Sequence, residues 1–584
     1  MNYNWNLEPF TAEERSLGTI FCRELRLAPV VGCLLARRGI ASVEEAKRFF
    51  RPRLEDLHDP FLMKDMDKAV ARLNRAVGRK EKIMIYGDYD VDGTTAVALV
   101  YKYLRATGCS ETQLDYYIPD RYDEGYGISY RGIDLAHSLG TKLIIVLDCG
   151  IKAVEKVAYA KSLDIDFIIC DHHNPDETLP DAVAVLDAKR ADNTYPYEHL
   201  SGCGVGFKFM QAYARSNNLP ESKLLPLLDL VAVSIASDIV PIMGENRILA
   251  YYGLRQLNKR PCLGLQAIID VCGLKKRRID MNDIVFKIGP RINASGRMMN
   301  GGKAVELLLS QDAVEAQSRT ANIDEYNDQR RELDKDVTEQ AIDILGELSD
   351  VDKKILVIYR PEWHKGVIGI VASRMTERYS RPTIVMTKSG DFISGSARSV
   401  GGFDVYKAIE HCKDLLVNFG GHPFASGLTI KEENLEIFRK MITDYAEEAV
   451  SPELLVPQID VDAEISIEEV NYKLLDNLKR MGPFGPENSK PVFISRQLYD
   501  AGGSRAVGKA SEHLKIDVRV GSGERHPVSG IAFNQAGHCD EIKNGSFRLC
   551  YTIEENEFNG NKSLQLLVRD IKPEEESAIN GKTR

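Results

Sequence analysis

The sequence predicts an α/β protein in which a parallel, doubly wound sheet is joined by a long helix to a smaller α/β domain, with a small β-barrel beyond it. Three observations carry this. Between Lys82 and Leu186 short apolar runs alternate with stretches of helical spacing, the pattern of strand–helix–strand units. A polar stretch from about Gln311 to Leu348 then continues without a breaker, and from Gln458 onward strands follow one another without long helices.

Residues 1–50 read as a polar, helical N-terminal extension with little chemical signal. In the sheet domain, 51–310, Ile83–Tyr86 is a buried strand and Thr94–Arg105 a helix. Leu114–Ile118 and Leu143–Leu147 are strands, Ala153–Ser162 a helix, and Phe167–Cys170 and Val183–Leu186 strands again. Ligands of such sheets sit beyond the carboxyl ends of the strands. Residues that follow a strand by one or two positions therefore converge on one crevice. The connecting helix covers 311–350, and the smaller domain 351–450. That domain holds strands at Lys354–Tyr359 and Thr383–Met386, helices at Val367–Arg374 and Val405–Leu416, and a Gly-Gly-His turn. Strands at Val492–Leu498, His513–Val520, Pro527–Phe533, Phe547–Glu554 and Ser563–Val568 suggest a barrel over 455–573. The OB-fold is a common nucleic-acid-binding barrel of this kind. Residues 574–584 read as a disordered tail.

With 584 residues, 43% apolar and 28% charged, the composition is that of globular protein and excludes disorder of the whole chain. The 11 cysteines are scattered singly, with no C-x-x-C pair and no signal or basic targeting segment before Trp5, which predicts a reducing, cytoplasmic setting without structural zinc. The most apolar stretch, Leu224–Met243, is interrupted by Asp229 and Asp238, so no membrane span is expected. A net charge of -10 counts against a nucleic-acid partner. That objection is weak, because metal-binding carboxylates inflate the negative total. Basic groups are also bunched, at Lys275–Arg278 and Arg291–Arg297.

The chemistry lies in acids at strand ends. Asp88, Asp90 and Asp92 alternate, so in an extended segment they share one face, with a turn at Gly93 into a helix at Thr94. Three such carboxylates repel one another unless cations neutralise them. Asp148 follows a strand and, read alone, serves equally as a cap for the next helix. Asp171-His172-His173 places two imidazoles after an acid, with Asp171 suited to orient one of them. Asp238 stands in an apolar run, where metal ligation would remove its burial cost and helix capping is the alternative. Oxygen-rich ligation with few imidazoles favours Mg2+ or Mn2+ over zinc, and two such cations suit displacement at phosphorus. Arg291, Arg297 and Arg398 can each fork onto phosphate oxygens, with surface ion pairs as the alternative. Ser394 and Ser396 alternate on a strand, and Gly420-Gly421 admits a close phosphate with His422 as a further donor. Tyr122 and Tyr126, beside Arg121, suit either base stacking or core packing.

Gly87-Asp-Tyr-Asp-Val-Asp-Gly93, Leu147-Asp-Cys-Gly150, Asp171-His-His173 and Ser237-Asp238 followed by Pro241 resemble the motifs of the DHH phosphoesterase superfamily. Gly289–Arg297, Trp363–Gly369, Ser394–Arg398, Gly420–Gly427 and Pro483–Glu487 resemble its RecJ exonuclease family, over about residues 50–570. The resemblance implies DHH, DHHA1 and OB domains and a 5′-to-3′ exonuclease that degrades single-stranded DNA to 5′-mononucleotides. By that resemblance Asp88, Asp90, Asp92, Asp148, His172 and Asp238 hold two divalent cations, with Asp148 the bridge. His173 faces the scissile phosphate, and Arg291 and Asn293 join the substrate contacts, with Arg121 a further candidate. It further implies a monomer working in recombination and mismatch repair with single-strand-binding protein and a RecQ-type helicase. One departure is Leu186-Asp-Ala-Lys189, where RecJ proteins usually read Asn-Pro-Asn, which leaves substrate contacts of this loop open. Two other readings remain: a phosphodiesterase of the same superfamily for nanoRNA or cyclic dinucleotides, and a catalytically silent DNA-binding scaffold. The barrel counts against the first and the full set of ligand positions against the second.

Overall fold

The structure, a computed structural model, describes residues 3–275, 277–348, 353–521, 527–558 and 560–574. Residues 575–584 of the expected tail, Lys276 of the basic bunch and residues 349–352 lie outside the described residues. The chain forms two compact units, one of residues up to Arg53 together with Pro457–Arg584 and one of Leu54–Val456. No described helix is long and apolar enough to cross a membrane.

The chain opens on β1 (Asn4–Leu7), passes through the helices Ala12–Leu25, Pro29–Arg37 and Val43–Phe50 of the same unit, and enters the second unit at Leu54. There β2 (Lys82–Gly87), β3 (Leu114–Tyr117), β4 (Thr141–Leu147), β5 (Asp166–Cys170) and β6 (Ala184–Leu186) form a parallel sheet in the order β3-β2-β4-β5-β6. The expected strands are all present. Successive residues alternate between two cores: Ile83, Ile85, Ile145 and Ile168 face one, Met84, Tyr86, Val146 and Ile169 the other. Both faces are thus covered, which is why these strands read as continuous apolar runs. The chain moves outward from β2 to β3 and then returns to the far side of β2 as β4. That reversal opens a crevice at the carboxyl ends of β2 and β4.

The helix Ala313–Leu348 spans 36 residues and leads to the smaller domain. This second sheet is β7 (Leu356–Tyr359), β8 (Thr383–Ser389), β9 (Phe392–Arg398), β10 (Leu416–His422) and β11 (Ala425–Ile430), ordered β10-β11-β9-β8-β7. The Gly-Gly-His segment differs from its expected form. Gly420, Gly421 and His422 end the edge strand β10, pairing with Gly427, Ser426 and Ala425. The reversal itself follows at Pro423-Phe424. Gly421 has φ +139°, and a Cβ there would stand 2.4 Å from the Ala425 carbonyl oxygen, so only glycine closes this hairpin.

The first unit resumes with β12 (Gln458–Val461), which pairs in parallel with β1, and β13 (Ala463–Glu464). Next come β14 (Phe493–Asp500), β15 (Arg505–Val507), β16 (His513–Val520), β17 (Val528–Ala532), β18 (Phe547–Phe558) and β19 (Asn561–Pro573). Pairings β14–β18, β18–β19, β19–β17, β17–β16 and β16–β14 close a ring of five strands, the expected barrel. The residues read as an extension are built into this unit. The Trp5 indole donates to Asp570 at 2.8 Å, with Arg548 5.4 Å from the ring centroid.

The helix Gly202–Ser216 points its N-terminus at the crevice and is clamped by a buried ion pair, Lys208 to Glu245 at 3.0 Å. The ammonium also donates to the His58 carbonyl at 2.6 Å. Lys208→Met is expected to cost about 3–5 kcal/mol in denaturant unfolding, because Glu245 is left charged and unpaired. Adding Glu245→Gln is expected to recover part of that loss.

Candidate active site

Asp88 immediately follows β2 and is 1% exposed. The next helix begins earlier than the sequence pattern suggests, at Val91, because Asp90 caps it by accepting the Gly93 N–H at 3.0 Å. Asp92 therefore lies on the first helical turn rather than on an extended face with Asp88 and Asp90. The backbone must be tight here: a Cβ on Gly93 would stand 2.5 Å from the Asp88 carbonyl oxygen. Asp92 is fully enclosed and accepts from Gly202 N–H and Cys203 N–H at 2.7 Å and Ser234 hydroxyl at 2.8 Å. It thus sits at the positive N-terminal end of the helix Gly202–Ser216. Even so, burial and the neighbouring Asp90 push it up to about 6.

Asp148 follows β4 with φ +61°, a left-handed conformation that aspartate tolerates better than most residues. It does not cap the next helical turn; Asp171 accepts the Ile151 N–H instead, at 2.8 Å. A Cβ on Gly202 would lie 2.6 Å from the Asp148 Cβ and 2.7 Å from its Oδ1. Glycine at 202 makes the room Asp148 occupies. Asp238 closes the helix Leu228–Ser237 at its C-terminal end, where the helix dipole disfavours a carboxylate. The capping alternative is therefore removed, and the position calls for a cation. Ser234 and Asp238 lie one turn apart on the same helix face.

His172 gathers these acids. Its Nε2 is 3.2 Å from Asp148 Oδ1, 3.5 Å from Asp238 Oδ2 and 3.9 Å from Asp92 Oδ2. The ring's hydrogen bond goes to the Leu200 backbone, and burial followed by the His173 charge brings its pKa down to about 3. The imidazole is neutral, with Nε2 offering a lone pair toward carboxylate oxygens. Among the described residues, Asp88 Oδ1, His172 Nε2 and Asp238 Oδ2 are all buried without a hydrogen-bond partner. Burial, reinforced by the neighbouring acids, holds Asp88, Asp148 and Asp238 well above the usual carboxylate range. Lone pairs turned toward one another in low dielectric are unfavourable unless a cation lies between them. The donor set fits hard divalent ions, and Asp148–His172–His173 and Asp92–His172–Asp238 each bring their ligand atoms within 4.8 Å.

His173 is the opposite case. Burial pulls its pKa down, but the Asp171 hydrogen bond, 2.7 Å to Nδ1, and its charge outweigh that and lift it to about 9. Asp171 in turn falls to about 2: burial raises it, but His173 and the Ile151 N–H outweigh the desolvation. His173 is thus an imidazolium, partly exposed, with Tyr126 Oη 3.1 Å from its Nε2. Tyr126 Oη also lies 3.2 Å from the Asp148 carbonyl oxygen, and its ring meets His173 and Tyr89 edge-on.

A basic cluster lies between the sheet domain and the smaller domain. Arg297 donates to the Gly366 carbonyl at 3.0 Å, and Tyr122 donates to the Arg297 carbonyl oxygen. Arg121 lies over the Tyr89 ring at 4.8 Å, and Arg398 donates to Ser396 at 3.1 Å. Burial, then Arg121, Arg330 and Arg398, bring Arg297 down to about 9, and burial with Arg121 lowers Arg398 and Lys365. Half-buried arginines that depress one another make a site for an anion. Gly369, near the start of the helix Ile368–Tyr379, has space for a Cβ only 3.0 Å from Ser396 Oγ and 3.2 Å from an Arg398 nitrogen. Ser396 and Arg398 therefore face a helix N-terminus.

Not every predicted contact joins this cluster. Arg291 is tied to Asp324 at 2.7 Å and to the Lys287 carbonyl at 3.0 Å, the ion-pair alternative. Asn293 keeps a buried Oδ1 without a partner among the described residues. Ser394 is buried on β9, while Gly420, Gly421 and His422 are exposed. Sequence reasoning missed Ser234 and Gly202. The i, i+4 spacing from Ser234 to Asp238 was the available signal for the first; Gly202 acts only through an element distant in sequence.

The sheet domain and its carboxylate–imidazole centre define a DHH-type phosphoesterase, and residues 82–235 match the DHH family N-terminal domain. Residues 352–448 match the DHHA1 domain and 461–570 the RecJ OB domain. The chain belongs to the RecJ family. It is 35% identical to the single-stranded-DNA-specific exonuclease RecJ of Bacillus subtilis over 94% of this chain and 68% of that protein. To the RecJ of Salmonella typhimurium it is 34% identical, covering 94% and 96%. The fold matches crystal structures of Thermus thermophilus RecJ at 25% identity. With Mn2+ the TM-score is 0.83, over 98% of this chain and 80% of that one. With Mg2+ it is 0.77, over 98% and 79%.

Gly202→Ala is expected to keep the far-UV circular dichroism of the native chain while lowering kcat/KM on its substrate about 100-fold, the scale for displacing a reacting group by about 1 Å. Steady-state kinetics at saturating metal checks this.

Proposed function

We propose that the chain hydrolyses phosphodiesters of single-stranded DNA from the 5′ end, releasing 5′-mononucleotides in recombination and repair. The carrying observation is a buried carboxylate–imidazole centre paired with a separate, half-buried cluster of arginines. The first suits the phosphorus under attack, the second the charge of the neighbouring backbone. Asp88, Asp90, Asp92, Asp148, His172 and Asp238 would hold two cations, Mg2+ or Mn2+, with Asp148 shared. When bound, such a pair supplies hydroxide at neutral pH and stabilises the attacking and leaving oxygens.

The other roles fall to side chains. The His173 imidazolium donates to a non-bridging oxygen of the scissile phosphate, and Asp171 keeps it charged. The Gly202 and Cys203 N–H groups and Ser234 hold Asp92 in place. Arg121, Arg297, Arg398 and Ser396 bind a backbone phosphate, and Gly420, Gly421 and His422 form an exposed edge that a strand can approach. The barrel supplies further strand-binding surface. The proposed setting is cytoplasmic, as a monomer with single-strand-binding protein and a RecQ-type helicase.

With 5′-labelled single-stranded and duplex DNA and Mn2+ or Mg2+, the native chain is expected to digest the single strand. Asp90→Ala should be slower by at least about 100-fold; equal digestion by both, or cleavage of dinucleotides alone, would refute the reading. Cation binding should also register in stability. At about 100 times the dissociation constant, Mn2+ is expected to add about 2.7 kcal/mol to unfolding, and Asp238→Asn to lose most of that gain. The folded pKa of Asp92, about 6, exceeds its ordinary 3.8. Without metal the folded state binds the extra proton, so this group's contribution to stability falls as pH rises from about 4 to 6. Bound cations displace that proton, and the stabilisation by Mn2+ is expected to grow across the same window in thermal melts.

A further inference from the structure

The segment from Leu200 to Cys203 meets three of the proposed metal ligands. The Leu200 backbone bonds the His172 ring, Gly202 leaves the room that Asp148 fills, and the Gly202 and Cys203 N–H groups hold Asp92. Ser201 stands in the middle of this segment and is wholly buried. A buried hydroxyl needs partners, and those of Ser201 lead to the same carboxylate by two routes.

By the first route, Ser201 Oγ accepts the Gly204 N–H at 3.1 Å. This caps the helix Gly202–Ser216 and leaves the N–H groups of Gly202 and Cys203 for Asp92. By the second, Ser201 Oγ lies 2.7 Å from Ser234 Oγ, itself 2.8 Å from Asp92 Oδ1. Each serine hydroxyl carries one proton, and a carboxylate that binds metal can only accept. The Ser234 proton is directed to Asp92, the charged and stronger acceptor, and the Ser201 proton then closes the contact between the hydroxyls. Ser234 belongs to the helix Leu228–Ser237, which ends at Asp238. Ser201 thus ties together two elements that serve the acidic centre.

Resting on the reading of the acidic centre as a two-cation site, we propose that Ser201 is a positioning residue for metal binding, whose hydroxyl, through Ser234 and the capped helix end, fixes how Asp92 is presented to a divalent cation. Without Ser201 Oγ, the Ser234 hydroxyl loses the contact that holds its rotamer toward Asp92. Removing a partner that orients a ligand weakens metal affinity by about 10- to 100-fold.

The test is calorimetric titration of metal-free protein with Mn2+, for the native chain, Ser201→Gly, Ser234→Ala and the double variant. Glycine is tolerated at a helix N-cap at little cost, so Ser201→Gly removes the hydroxyl and keeps the helix. Each single variant is expected to bind Mn2+ about tenfold more weakly than the native chain. Because Ser201 acts largely through Ser234, the double variant should be no more than about twofold weaker than the weaker single one. At saturating Mn2+ the KM of Ser201→Gly for single-stranded DNA should stay within about twofold of native, since no substrate contact is lost. Native Mn2+ affinity in either single variant, tighter binding in Ser201→Gly, or losses that multiply in the double variant would overturn the proposal. So would a Ser201→Gly chain without the native far-UV circular dichroism, which would assign the residue to the fold alone. A native chain that binds no Mn2+ would instead overturn the two-cation reading.

Discussion

Mutual repulsion among buried carboxylates is the constraint on which the rest of the catalytic unit depends. Asp88, Asp92 and Asp148 are almost wholly enclosed, and Asp238 stands close beside them. Carboxylates so placed must either take up protons or surround cations. Features that are awkward in isolation follow from that requirement. Asp148 takes a left-handed backbone, Asp238 occupies the unfavourable end of a helix, and His172 offers an unpartnered nitrogen to several acids. Each is understandable as a ligand direction set from a different element.

The scaffold answers this repulsion with dipoles as well as the implied ions. The helix Gly202–Ser216 presents two N–H groups to Asp92 and is anchored further along by Lys208, Glu245 and the His58 carbonyl. A buried ion pair outside the acidic centre thereby helps to fix a carboxylate within it. Asp171 applies the same economy to the two histidines. It accepts the N–H of each backbone and the His173 ring, so one imidazole is held charged while its neighbour, bonded to the Leu200 backbone, stays neutral.

The proposed substrate recognition rests on the other charge. Arg121, Arg297, Lys365 and Arg398 come from the sheet domain and the smaller domain, and Tyr122 and Gly366 join the two through Arg297. The net charge of -10 is compatible with a polyanionic substrate because the acids and the bases are segregated in space. Segregation of this kind focuses potential where a strand must lie.

Much of this was legible in the chain before folding. Alternating apolar runs gave the parallel sheet, and the placement of Asp88, Asp148 and His172 after strands gave their meeting place, because the carboxyl edge of such a sheet is a property of connectivity. The five barrel strands were readable for a similar reason: strand periodicity is local. Where local pattern met capping, it misled. Asp90 starts its helix three residues early, and the Gly-Gly-His segment is a strand end because Gly421 packs against the facing strand. Arg291 and Arg297 look alike in sequence, yet one meets Asp324 and the other enters the basic cluster. The order of residues along the chain set the identity and approximate address of the reactive groups. Folding alone decided which arginines lack acids, which imidazole is charged, and how Gly202 admits Asp148, since those outcomes depend on contacts between elements far apart in the chain.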